Sequence, residues 1–265
     1  NTATLQGVLD ASSTTITVTT TNTAPAGAGT GNITVGSTLT WTSTSKLILL
    51  ATGGLTGSGN IVTGAAGSNL TINQAGTSSY SGAISGSGSV TKLGAGALTL
   101  SGANTYTGGT TVSAGTLALG ASNVLPSTGA ITVSGSTAIL SLGAYNNSAG
   151  AVSIGSSGGS ITSTTGVLTG TGYTFSNTSA TATVSAILAG SGSVTQSGTN
   201  TTTLSGTNTY TGGTNFNSGK LVANSVGAFG TSGTLSFGGG TLGYASATQS
   251  TDFSTRFSTA ANQAY

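Results

Sequence analysis

The chain is 265 residues long, with 2% charged residues, no His, no Cys, no Met, 46 Gly and 2 Pro, far from the roughly 25% charged content of ordinary soluble domains. Its formal charge of +2 rests on Lys46, Lys92, Lys220, Arg256, Asp10 and Asp252. Four scattered cations cannot neutralise a phosphate backbone, which excludes nucleic acid as a partner. The longest apolar stretch, Leu47 to Ala51, is too short for a bilayer, so no membrane insertion of this segment is expected.

In chain order, period-2 alternation predicts strands around Ile16/Val18, Ile33/Val35, Leu39/Trp41, Leu47/Leu49, Leu70/Ile72, Leu98/Leu100 and Leu117/Leu119. It continues through Ile131/Val133, Leu140/Leu142, Val152/Ile154, Leu221/Ala223, Leu235/Phe237 and Leu242/Tyr244. Clusters of Gly, Ser and Asn separate these runs, as turns do. Ser and Thr supply roughly a third of the residues, and the β-branched half of them favours strands over helices. No stretch of ordinary helix length shows a 3.6-residue face, the tail from Ser250 to Tyr265 being the one exception. The chain opens at Asn1 without Met or an apolar leader, as expected of a processed or excised portion of a longer product.

Residues 86–120 and 190–224 align without a gap at a constant offset of 104 positions, and the heptapeptide NTYTGGT recurs intact in both. Asn104 matches Asn208, Tyr106 matches Tyr210, Gly108 matches Gly212 and Gly109 matches Gly213. These residues are expected to build a structural corner: the Asn amide bonds nearby backbone, the two glycines take the tight turn, and the Tyr packs over it. An exposed aromatic platform for sugars is the functional alternative for the two tyrosines. Shorter echoes, GSGNIV at 57–62 and GTGYTF at 170–175, point to a unit of one strand and one turn beneath the long period.

Many short strands of one repeated pattern suit a solenoid better than a sandwich, because each coil needs only its neighbours. The fold class expected is all-β, a right-handed parallel β-helix, with residues 1–265 forming one continuous β-solenoid. Repeat copies fall at 80–120 and 187–222, with spacer coils between and after them. At about 20–25 residues per coil the chain makes about eleven to thirteen coils, a rod of about 50–60 Å.

The run YSGAISGSGSVTKLGAGALTLSGANTYTGGTTVSAGTLALG from Tyr80 to Gly120 resembles the autotransporter-associated β-strand repeat, also called the passenger-associated transport repeat. A drifted copy occupies 187–222, and the resemblance extends over about two thirds of the chain when the spacer segments are counted. Lys92 becomes Gln196, Leu98 becomes Thr202 and Val112 becomes Phe216 in the second copy. The resemblance implies a right-handed β-helix, export from a bacterium with an outer membrane, and display on or release from the cell surface.

Chemistry has little to work with. Acid–base cleavage of a polysaccharide needs clustered carboxylates, and Asp10 and Asp252 lie at opposite ends of the sequence. Serines without a His or Lys partner are surface hydroxyls, and the Gly-rich turns carry Ser, Thr and Ala where calcium-binding rolls carry Asp. No catalytic residue, metal or cofactor is expected. The Gly-x-Gly pieces at 57–59, 86–88 and 190–192 precede strands and read as turns. The N-x-Ser/Thr triplets beginning at Asn32, Asn69, Asn146, Asn177 and Asn200 are those a chain rich in Asn and Thr generates by chance. Asp252 and Arg256, four apart, are placed to pair or to cap a helical turn.

Neither end of the chain shows the charges or prolines that guard exposed strand edges, ITVTTTNT at 16–23 least of all. The functional expectation is therefore a structural subunit of an extracellular or cell-surface fibre that stacks end to end with itself. The alternative is an adhesin stalk or autotransporter passenger that presents a binding tip elsewhere, with surface glycans as candidate partners.

Overall fold

A computed structural model describes residues 2–11, 15–20, 31–246 and 251–260; Ser250, Tyr265 and the last three residues of the 16–23 run lie outside them. The chain divides into two compact units, residues 1–130 and 131–265. Both are parallel β-solenoids.

In the first unit, one ladder runs through Thr15–Thr20, Lys46–Ala51, Asn69–Gln74, Ser89–Leu93 and Thr110–Val112, each strand parallel to the one before. A second runs through Ile33–Val35, Leu55–Gly57, Ser78–Tyr80, Ala97–Leu100 and Thr116–Leu119. A third, shorter ladder joins Leu39–Thr40, Ile61–Thr63 and Ile84–Gly86. The second unit repeats the plan with six rungs, from Ile131–Val133 to Leu235–Phe237 on one face and from Ile139–Ser141 to Thr241–Tyr244 on the next. Its third face holds Asn147–Ser148, Val167–Thr169 and Ile187–Ala189.

The register fixes the coil length. Leu47 pairs with Leu70, Leu70 with Val90 and Val90 with Thr110, while Val152 pairs with Tyr173 and Tyr173 with Val194, so these coils take between 20 and 23 residues; Leu98 to Leu117 spans 19, and Ile16 to Leu47 in the first coil spans 31. Because side chains alternate across a strand, in-register stacking turns each alternating strand into continuous columns. Val133, Ile154, Phe175, Gln196, Phe216 and Phe237 form one inward column, and Leu140, Ile161, Val184 and Leu204 another, all buried. The neighbouring outward column reads Thr132, Ser153, Thr174, Thr195, Asn215 and Ser236. Short hydroxyls thus solvate the surface where charges are scarce, and each buried aliphatic side chain contributes about 1.5–3 kcal/mol.

The structure corrects three expectations. Thr2–Ala11 is an α-helix: Leu5, Val8 and Leu9 follow the i, i+3, i+4 spacing of a helix face, a short signal that Gly7 and the threonines obscure. Leu9 is buried, and its carbonyl accepts from Ser43 Oγ at 2.5 Å and Ser45 Oγ at 2.8 Å. Asp10 Oδ1 accepts from Thr42 N at 2.6 Å and from Thr42 Oγ1 at 3.1 Å. The first coil is therefore guarded after all. The last coil is guarded too, by the 251–260 segment. Phe257 bridges to Leu235 and meets the Phe237 ring at 5.1 Å, and Phe253 meets Phe229 at 4.9 Å. Tyr244, expected to face inward, is exposed on that last coil.

Leu98 is buried against Leu117 and Thr99 points outward beside it. Leu98→Ala is expected to cost about 2–5 kcal/mol and Thr99→Ala less than about 0.5 kcal/mol. Urea unfolding midpoints of the two variants check this directly.

Candidate functional site: the repeat corner

NTYTGGT occupies the place of the third strand in its coil. In the first copy, Thr105 N donates to Ile84 O at 2.9 Å and Thr107 N to Gly86 O at 3.0 Å. In the second, Thr209 N donates to Leu188 O at 2.8 Å and Thr211 N to Gly190 O at 3.0 Å. The heptapeptide thus continues the ladder with an irregular backbone, which obliges side chains to make the remaining bonds.

Asn104 makes them. Its Oδ1 accepts from Ile84 N at 2.7 Å in the preceding coil, and its Nδ2 donates to Val124 O at 2.9 Å in the following one. Asn208 repeats both bonds, accepting from Leu188 N at 2.8 Å and donating to Ala228 O at 2.6 Å. One buried amide therefore ties three successive coils. A carboxamide offers a donor and an acceptor in one short, planar group. Tyr106 and Tyr210 are buried, with their hydroxyls on Thr110 Oγ1 at 2.6 Å and Thr214 Oγ1 at 2.7 Å. Neither ring presents a face to a sugar. Gly109 and Gly213 sit at φ 86° and 83°, the left-handed region. A Cβ on Gly108 would come within 2.5 Å of Gly88 C, and one on Gly212 within 2.5 Å of Gly192 C. An open hollow of about 420 Å3 borders the first corner, lined by Ala103–Thr107, Asn123 and Leu125–Thr128.

Sequence reading missed a second interior device. Lys92 lies wholly inside, and its Nζ donates to the carbonyls of Leu93 at 2.7 Å, Gly94 at 2.9 Å and Ala114 at 3.4 Å. Burial lowers its pKa from 10.5 to about 8. Gln196, at the matching position, also lies inside and donates from Nε2 to Gly198 O at 2.8 Å and Asn200 O at 3.1 Å. Its Oε1 is buried with no hydrogen-bond partner, the cost of placing an amide where a three-donor ammonium fits better. The signal was present in the sequence: parity with Val90 and Val194 puts both residues on the inward face.

Asp252 and Arg256 engage backbone separately. Asp252, just ahead of the Ser254–Arg256 turn, accepts from Ser254 N at 2.8 Å, which with the Ser254 hydroxyl lowers its pKa. The Arg256 guanidinium donates to the carbonyls of Phe229 at 2.8 Å, Gly230 at 3.0 Å, Ser232 at 2.5 Å and Gly233 at 2.9 Å. Among the N-x-Ser/Thr triplets, Asn177 is buried with its amide on Ala180 O and Thr201 O.

The model of the passenger-associated transport repeat matches residues 90–119 and 194–223, a narrower reach than the resemblance traced in the sequence. Each match runs from an inward strand through Asn104 or Asn208 to the strand of the next coil. No curated protein and no solved structure is significantly similar to the chain. Both matched repeats lie within parallel solenoid coils.

Burial pushes the Tyr106 and Tyr173 hydroxyls up to about 12, against hydrogen bonds that pull them down, between Tyr106 and Thr110, from Gly170 N to Tyr173 and from Tyr173 to Ala189 O, and it raises Tyr80 and Tyr210 as well. An acid whose folded pKa is raised adds stability that is complete below its unfolded pKa, near 10, and lost as pH climbs to the folded value. Each of the first two is worth on the order of 2–3 kcal/mol. Lys92, lowered, works the other way: its burial penalty is present below pH 8 and relieved between about 8 and 10.5. Melting temperature is expected to hold level from pH 5 to 8, rise slightly towards 10 and fall steeply beyond it. Tyr106→Phe should soften that fall, and Lys92→Met should remove the rise. Loss of structure between pH 5 and 6 would contradict the assignment.

Proposed function

We propose that the chain is a non-catalytic structural segment of an exported bacterial protein, a stiff β-solenoid spacer displayed at the cell surface or released from it. One observation carries this reading: the most distinctive residues of the repeat, Asn104, Tyr106, Asn208 and Tyr210, are buried and bonded to the fold itself. The repeat is an assembly device for coils. A surface presenting mainly hydroxyls, with two carboxylates in the whole chain, suits an extracellular spacer that responds weakly to pH and salt. The passenger-associated transport repeat supports export.

End-to-end stacking into a filament is the second reading. It is favoured by the uncharged first strand, Thr15–Thr20, which among the described residues pairs only with Lys46–Ala51, and opposed by the segments over the first and last coils.

Protease treatment of intact cells of the encoding bacterium, read by an antibody to this segment, tests the first reading. Digestion from outside, or recovery in the medium, is expected; protection inside intact cells would overturn it. Electron microscopy of the secreted material tests the second. Filaments with an axial repeat of about 50–60 Å per chain would favour the subunit reading, and dispersed particles the spacer.

A further inference from the structure

Around Gln196 the interior of the second repeat holds more oxygens than hydrogen-bond donors. A glutamine amide carries two hydrogens, yet three oxygens surround the Gln196 nitrogen: Gly198 O at 2.8 Å, Asn200 O at 3.1 Å and Asn177 Oδ1 at 3.3 Å. Its own Oε1 is buried with no hydrogen-bond partner. The neighbouring donors are committed elsewhere. Asn177 Nδ2 donates to the carbonyls of Ala180 at 3.1 Å and Thr201 at 2.9 Å, and Thr202 Oγ1 donates to Asn177 Oδ1 at 2.9 Å. Asn177, Gln196 and Thr202 are all buried, so the surplus of acceptors is not relieved by bulk water.

The first repeat shows what balances such a cluster. Lys92, which matches Gln196, brings three hydrogens and a full positive charge to the carbonyls of Leu93, Gly94 and Ala114. Gly94 matches Gly198 at the same offset of 104, so one turn carbonyl is engaged in both repeats. A glutamine nitrogen ends one bond short of a lysine nitrogen and is uncharged. The two orientations of a carboxamide are isosteric. With the Gln196 amide turned over, Oε1 joins Gly198 O, Asn200 O and Asn177 Oδ1, neutral oxygens that repel one another unless a cation lies among them. Neutral carbonyl oxygens are the ligands that replace the hydration shell of a monovalent cation. A divalent ion calls for carboxylates, and among the described residues no group of three His, Cys, Asp or Glu comes together. We propose that this cluster binds one monovalent cation, sodium or potassium, which does for the second repeat what the Lys92 ammonium does for the first. The site is independent of where the protein works in the cell, and its effect is that of a specific ion, distinct from the screening of surface charges.

Melting of the full chain, refolded and dialysed into sodium, potassium or choline chloride at equal ionic strength and followed by circular dichroism, tests this. Choline, whose methyl groups keep oxygens from its charge, serves as the inert cation. For a site of about 5 mM affinity in about 0.2 M salt, the preferred cation should raise the melting temperature above that in choline by roughly 4–8 °C. Gln196→Lys, which supplies its own ammonium, should melt in choline at least as high as the unaltered protein does in the preferred salt, and the difference between salts should vanish. If Gln196→Lys does not fold, equilibrium dialysis of the unaltered chain against the preferred cation decides, with one bound ion per chain expected. Equal melting in the three salts, the outcome if a water bonds Oε1 instead, would overturn the proposal. A salt difference that survives in Gln196→Lys, or a chain that retains no ion on dialysis, would overturn it equally.

Discussion

Everything in this protein depends on the backbone bond from one coil to the next. A chain with few charges and a modest apolar content cannot gather a wide core; it gathers a narrow one, a coil at a time, and each coil is stable only because the next accepts its N–H groups and supplies its carbonyls. Along the regular faces the strands meet this requirement themselves. At the corner they cannot, and there the side-chain amides of Asn104 and Asn208 stand in for a strand, each joining the coils on either side. The ladder is continuous because a side chain replaces the backbone where the backbone must turn.

That constraint explains what occupies the interior. Turning coils leave carbonyls pointing inward, and an apolar core would orphan them at about 1–3 kcal/mol each. Gln74 bonds the carbonyls of Gly76 and Ala97, Lys92 those of Leu93, Gly94 and Ala114, and Gln196 those of Gly198 and Asn200. Donor-rich side chains on otherwise apolar columns are thus part of the support of the turns. A buried lysine with no carboxylate beside it is consistent with this, since neutral carbonyls solvate its ammonium.

Much of this was legible in the sequence. The alternation of Leu98/Leu100 and Leu117/Leu119 marks strands without ambiguity, and the 104-residue offset isolates Asn104, Tyr106, Gly108 and Gly109 as a unit because drift elsewhere leaves them unchanged. Strands such as Thr201–Leu204 were harder to see, because Thr202 faces inward where an aliphatic residue would announce itself. The interior places of Lys92 and Gln196 follow from parity with Val90 and Val194, a signal outweighed by the expectation that long polar side chains face water. The helix escaped notice because ten residues show barely three turns of periodicity. The burial of Tyr106 and Tyr210 excludes the aromatic platform that composition alone left open.

The corner amide is the part of this account most exposed to a direct test. Amide hydrogen exchange resolved at Ile84 and Leu188, whose N–H groups donate to the side chains of Asn104 and Asn208 rather than to backbone, compares a side-chain bond with the ladder around it. Protection equal to that of neighbouring strand amides, lost at Ile84 alone in Asn104→Ala, is the predicted result. Rapid exchange at both positions in the unaltered protein would show that the coils hold together without the asparagines and would contradict the account.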